Sequence, residues 1–173
     1  KKSTGKVIPY WEGTKVLTGD VNGDGKTDLI WNITSKEHNR TYIGLSKGDG
    51  TFQLIPKFQD FKKSNGKVIS DWEGTKVFSC DVNNDGNTDL IWNITNKKHN
   101  RTYVGLSKGD GTFQLIPKYQ DITKSNGEKI CCWEGANVLT GDINGDGFID
   151  LTWIRTSENN KMYSYDINVG ISN

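Results

Sequence analysis

Asp20 to Asp28 read Asp-Val-Asn-Gly-Asp-Gly-Lys-Thr-Asp, with oxygen-bearing side chains at the first, third, fifth and ninth positions. The pattern returns as DVNNDGNTD from Asp81 and as DINGDGFID from Asp142. Hard oxygens at alternate positions suit a divalent cation. Ca²⁺ takes about six to eight oxygen ligands, which a short loop supplies when its backbone folds round the ion. The first loop offers the side chains of Asp20, Asn22, Asp24 and Asp28 and the carbonyl of Lys26, with Gly25 at the sharp bend. The second offers Asp81, Asn83, Asp85, the Asn87 carbonyl and Asp89, with Gly86 at the bend. The third offers Asp142, Asn144, Asp146, the Phe148 carbonyl and Asp150, with Gly147.

The expectation is about three Ca²⁺ ions per chain, one in each loop. Mg²⁺ fits less well, because it keeps its waters and seldom accepts an all-protein cage. An ion-free, Asx-rich turn is the alternative for any single loop, and the registered threefold occurrence favours the cation. A helix-flanked EF-hand is excluded twice over. Its bidentate Glu at the twelfth position is replaced here by Trp31, Trp92 and Trp153, and the residues that follow alternate as strands do.

These loops also reshape the charge balance. The formal charge is +1, yet nine of the 21 acidic residues sit in the loops, so the remainder carries 22 basic residues against 12 acidic ones. The lysines are spread rather than clustered, which leaves no electrostatic footprint for nucleic acid. No apolar run is long enough to span a membrane, and Lys1 to Lys6 lack the apolar stretch of a signal peptide. A mature or excised form is compatible with that reading.

Something must position the loops, and the sequence supplies it by repetition. Trp11, Trp72 and Trp133 are 61 residues apart, as are Trp31, Trp92 and Trp153. The repeats are 1–61, 62–122 and 123–173; the first two agree at roughly four positions in five, while the third has diverged and lacks its last strand. Matching VGIS (169–172) to VGLS (104–107) calls for an insertion of four residues near 159–166. Within a copy, KVIPYW (6–11), TKVLT (14–18) and TDLIWNIT (27–34) read as strands, and RTYIGLS and TFQLI read as a hairpin joined by KGDG (47–50). With 20 glycines and 33% hydrophobic residues, the composition suits short strands and tight turns. The fold class expected is all-β: tandem four-stranded, blade-like repeats of 61 residues forming a β-propeller or part of one. Three blades are fewer than the usual four to eight of a ring, so the chain is expected to self-associate or to be part of a longer one, with a self-contained three-unit fold as the alternative.

GDVNGDGKTDLIW followed by YIGLSKGDGTFQ resembles the FG-GAP/VCBS repeats of integrin α-subunit propellers, fungal lectins and bacterial secreted toxins and adhesins. The resemblance covers all three copies. It implies a blade with Ca²⁺ in its acidic loop, held there to brace the loop rather than to perform chemistry. Literal FG and GAP signatures are absent, so the lectin and bacterial variants are nearer than integrins.

Other residues are candidates for binding. His38 and His99 occupy equal places in KEHNRTY and KKHNRTY, either as solvated turns or as lining of a recognition loop. Trp31, Trp92 and Trp153 share a face with apolar neighbours and should pack between sheets. Trp11, Trp72 and Trp133, ahead of short turns, could equally pack or offer a stacking platform to a glycan. Asn32, Asn39, Asn93 and Asn100 match the N-glycosylation sequon, a match that duplication and chance also explain. Cys80, Cys131 and Cys132 are either free thiols or include a bridge from Cys80 to one of the pair. No nucleophile, base and orienting group come together, so catalysis is not expected. The whole reads as a secreted, calcium-binding, non-enzymatic module that recognises a glycan or a cell-surface protein, or as scaffold blades of a larger secreted toxin or adhesin.

Overall fold

In each copy, two runs of alternating residues flank an acidic loop, and both faces of the resulting sheet are apolar. The computed structural model describes residues 14–35, 39–56, 59–60, 72, 74–95, 100–116, 120–121, 136–156 and 162–168. The first sheet contains β1 (Thr14–Gly19), β2 (Asp28–Thr34), β3 (Asn39–Ser46), β4 (Phe52–Leu54) and β5 (Gln59–Asp60). The second contains β6 (Lys76–Cys80), β7 (Asp89–Thr95), β8 (Asn100–Ser107), β9 (Phe113–Leu115) and β10 (Gln120–Asp121). The third contains β11 (Asn137–Gly141), β12 (Asp150–Thr156) and β13 (Met162–Asn168). All pairings are antiparallel, in the order β1-β2-β3-β4 and its repeats.

The fourth strand differs from its expected form. β4 and β5 both pair with β3, β4 against Gly44 to Ser46 and β5 against Arg40 and Thr41. Pro56 lies between them; it has no N–H to give to a ladder, so the edge strand is cut in two. The third copy also corrects the alignment. Tyr165 opposes Trp153 as Tyr103 opposes Trp92, and Ile167 opposes Leu151 as Gly105 opposes Leu90. The offset from copy two is therefore 165 − 103 = 62, one residue beyond the period rather than four. Strand register outranks the resemblance of VGIS to VGLS, because a slip would move every apolar side chain to the wrong face.

The sheets stack face to face. Ile30, Ile43 and half-buried Leu17 of the first meet Val77, Leu90, Trp92, Ile94 and Phe113 of the second. Ile91, Val104 and Phe78 on the other face of the second meet Val138, Leu151 and Trp153 of the third. Trp92 and Trp153 are 0% and 1% exposed, as their shared face with apolar neighbours predicts. Polar links accompany the apolar contact. The Trp153 indole N–H donates to Asn93 Oδ1 at 3.2 Å, Lys15 Nζ donates to the Thr75 carbonyl, and Lys76 Nζ donates to that of Ala136. Burial, and then the charge of Lys76, push the Lys15 ammonium below its ordinary pKa.

Burial also decides the sequons. Asn32, Asn39 and Asn93 are buried, and the Asn32 amide donates to Asn39 Oδ1 at 2.6 Å and Thr41 Oγ1 at 2.9 Å. These side chains cross-link strands inside the stack and present no amide to a glycosyl donor once folded. The side chain of Asn100 lies outside the described residues, as do Cys131 and Cys132. Cys80 is a free thiol, its pKa pushed up to about 12 by burial first and then by Asp89 and Asp81.

Trp92 and Trp31 occupy the same place in consecutive copies, but Trp92 lies between sheets whereas Trp31, on the outward face of the first, is only half-buried. Trp92→Ala should therefore destabilise the chain by about 3–5 kcal/mol and Trp31→Ala by clearly less. Urea unfolding of both variants checks this; equal losses would contradict the stacking described.

Candidate metal centres

Each acidic run joins the first and second strands of its sheet, so the three loops emerge at one end of the stack. The KGDG turns, which join the third and fourth strands, emerge at that end too, and a Cβ on Gly48 would stand 3.3 Å from the Lys26 side chain.

The loops fold by Asx turns, in which a carboxylate accepts backbone N–H groups a few residues on. Asp20 accepts Asp24 N–H at 3.1 Å and Gly25 N–H at 2.7 Å. Asp81 accepts Asp85 N–H at 3.1 Å and Gly86 N–H at 2.8 Å. Asp142 accepts Asp146 N–H at 3.1 Å and Gly147 N–H at 2.9 Å. The fifth-position carboxylates do the same one step further on, Asp24 for Lys26, Asp85 for Asn87 and Asp146 for Phe148. The bend glycines have φ of +79°, +87° and +87°, a region that side chains disfavour, and this explains the glycine at the sixth position.

One terminal atom of the Asn22 amide lies 3.0 Å from Asp20 Oδ1 and 3.2 Å from Asp24 Oδ1. With nitrogen there, the amide donates to both carboxylates; with oxygen there, it stands beside one oxygen of each carboxylate, a grouping that a hard ion would accept as ligands. Among the described residues, no three His, Cys, Asp or Glu side chains gather into a metal site by themselves. A cation here would draw on a mixed set of carboxylates, one amide and one main-chain carbonyl.

The ninth position carries a structural duty that its spacing did not disclose. Asp28 is fully buried; its Oδ2 accepts Val21 N–H at 2.9 Å and its Oδ1 accepts Ser46 N–H at 2.8 Å. Asp89 repeats this with Val82 at 3.0 Å and Ser107 at 2.7 Å. Each of these carboxylates, which has about four lone-pair sites, ties the loop to the end of the third strand. Asp150 keeps the bond to Ile143 N–H at 2.9 Å, while its buried Oδ1 meets no donor among the described residues; by the observed register, the counterpart of Ser107 is residue 169, outside them. The lock uses the backbone N–H of Ser46 and Ser107, which any residue but proline supplies, so the sequence held no signal for it.

Electrostatics differ between copies. Lys26 Nζ sits 2.9 Å from Asp24 Oδ2, and its hydrogen bond holds the Asp24 carboxyl below its ordinary pKa. In the second loop the Asn87 amide takes that place, donating to Asp85 at 2.9 Å. Burial pushes Asp89 up to about 6, against hydrogen bonds from Ser107 and Val82 and with help from the charges of Asp85 and Asp81.

Of the aromatic candidates, Trp72 is fully buried, edge-on to Trp92 at 6.1 Å and tilted on Tyr103 at 5.1 Å. It offers no face to a sugar, so its platform role is corrected to packing. Trp11, Trp133, His38 and His99 lie outside the described residues.

The model of the FG-GAP-like repeat matches residues 20–92 and 81–153. The chain belongs to the FG-GAP-like repeat family. Both matches begin at the first aspartate of a loop, so the acidic run and the strands after it are what this FG-GAP chain shares with the family. It is similar to a T-cell immunomodulatory protein homolog of Plasmodium yoelii yoelii, 24% identical over 91% of this chain and 22% of that protein. It also resembles a solved structure of an Agrocybe aegerita lectin, described there in specific recognition of non-reducing terminal N-acetylglucosamine. That likeness has a TM-score of 0.51 at 21% identity and covers 91% of this chain and 39% of the lectin. It shows the fold: the three FG-GAP sheets are blades of a partial propeller.

Two outcomes follow from the geometry. Asp28→Ala strands two backbone N–H groups at a buried site and should lose about 3 kcal/mol or more even in chelator, whereas Asp24→Ala should change calcium-free stability little; denaturant titration in EDTA separates them. Because Asp89 has its pKa raised on folding, its contribution is complete below its unfolded pKa and is lost as pH rises through about 6. The melting temperature in EDTA should therefore fall between pH 5 and pH 7, and Asp89→Asn should flatten that slope.

Proposed function

We propose that this chain is a calcium-braced, non-catalytic recognition module working outside the cell. What supports it is the approach of one Asn22 amide atom to both the Asp20 and Asp24 carboxylates, in a loop whose sequence recurs in register twice more. A cation in each loop supplies the charge that lets its carboxylates stand close. Asp20, Asn22, Asp24, Asp28 and the Lys26 carbonyl would hold the first ion, and their counterparts the other two. The millimolar free Ca²⁺ outside cells suits such loops, whose affinities in extracellular modules lie at about 10⁻⁴–10⁻³ M. The lectin-like fold and the immunomodulatory relative support a glycan or a cell-surface protein as the partner. The ligand residues put forward are His38, His99, Trp11 and Trp133.

A second reading, scaffold blades of a larger secreted toxin or adhesin, rests on the outer faces of the stack. Val16 and Phe52 on the first sheet are 58% and 40% exposed, while their counterparts Val77 and Phe113 are buried between sheets. Leu139 and Ile143 on the far side of the third sheet are exposed as well. Both faces are those by which these sheets stack, so they are suited to a further blade, from a longer chain or a second copy. The chain spans 22% of the length of the curated relative it matches.

Calorimetric titration with Ca²⁺ should register about three sites, and EDTA should lower the melting temperature, since a ligand bound only by the native state stabilises it by mass action. A melt indifferent to EDTA would refute the brace. On a glycan array carrying terminal N-acetylglucosamine among its sugars, calcium-dependent binding weakened by His38→Ala or His99→Ala supports recognition. Silence across the array supports scaffolding.

A further inference from the structure

Copies one and two differ at few positions, yet three of the differences fall in and beside the acidic loop: Gly19 against Cys80, Gly23 against Asn84, and Lys26 against Asn87. The first two decide how closely neighbouring loops approach. Where the first loop meets the second, Thr88 N–H donates to the Asp20 carbonyl at 2.6 Å. Ser107 Oγ donates to the Val21 carbonyl at 2.6 Å. A Cβ on Gly19 would come 2.4 Å from the Thr88 side chain, and one on Gly23 would come 2.8 Å from Asn87 Oδ1. Only glycine leaves room for this junction. Asp20 and Val21 open the first loop, while Asn87 and Thr88 close the second, so the main chain of one site is hydrogen-bonded to the main chain of the next.

The second junction is built otherwise. Cys80 stands where Gly19 stood, half-buried against the core between the second and third sheets. Asn84, with φ of +58°, stands where Gly23 stood. Ile149 is the counterpart of Thr88, and no backbone bond joins it to the Asp81 carbonyl among the described residues. Side chains now occupy the space that two glycines left open.

We infer that cation binding at the first and second loops is coupled through the Thr88–Asp20 bond, and that the third loop binds independently. The inference rests on the calcium reading. Ordering the second loop fixes Thr88, which in turn fixes the Asp20 carbonyl and the turn that Asp20 nucleates. The first ion then enters a loop already held, and by reciprocity the second gains equally from the first.

The amides of Gly25, Gly86 and Gly147, one in each loop, report each site separately in a nitrogen-15 NMR titration of the full chain with Ca²⁺. Disabling the second loop with Asp81→Asn and Asp85→Asn should weaken binding at Gly25 by about fivefold or more and leave Gly147 unchanged. Disabling the third with Asp142→Asn and Asp146→Asn should leave Gly25 and Gly86 unchanged. Gly19→Ala, which wedges the junction apart, should make the first two sites independent; if it fails to fold, the two loop knockouts still decide. Three amides that respond to Ca²⁺ independently in the wild type would overturn the coupling while leaving the calcium reading intact. Amides that do not respond at all would overturn both.

Discussion

Each sheet in this chain is apolar on both faces, and that constraint organises everything else. A sheet with one wet face can stand alone; one that carries Leu90, Trp92 and Ile94 on one side and Ile91 and Val104 on the other must be covered twice. Stacking is therefore the fold, and the unit of stability is the interface between two copies rather than the copy itself. Residues that look decorative in sequence become intelligible as interface parts. Lys15 and Lys76 reach backbone carbonyls 60 residues away, and Gln59 bonds the Phe113 backbone across the outer strands of two sheets, accepting its N–H at 2.7 Å.

The loops inherit their geometry from that stacking. Asp28 and Asp89 each draw the start of a loop and the end of the third strand onto one buried carboxylate, so the turn is fixed at both ends before any ion is considered. Burying that charge has its cost: removal from water is what raises Asp89. In all three loops the first- and fifth-position carboxylates are held by backbone N–H groups at one end of the stack.

Much of this was legible in the residues. Alternation in TKVLT and TDLIWNIT located β1 and β2 to within a residue or two, and KGDG located the hairpin, because period and turn chemistry are local properties. The split of the outer strand at Pro56 was equally local and could have been read from the missing donor. The third copy's offset could not: choosing one inserted residue over four requires knowing which side chains face which sheet, and Tyr165 opposite Trp153 supplies that only in three dimensions. Nor does spacing alone disclose that Asp28 serves Ser46, 18 residues away, or that Trp72 is packed under Trp92 rather than turned to solvent.

Near-identity between copies conceals a difference in environment. Trp31 and Trp92 sit in the same eight residues, TDLIWNIT, and so do Val16 and Val77 in TKV. One of each pair is covered by a neighbouring sheet and the other is not, so exposure here is a property of position in the stack and cannot be read from the repeat. The converse holds for Gly19 and Cys80. There the stack presents the same position to the same kind of neighbour, and the sequence changes instead. Where copies match and surroundings differ, the same residues are buried in one sheet and more exposed in the other. Where surroundings match and residues differ, the two junctions have been given different tasks.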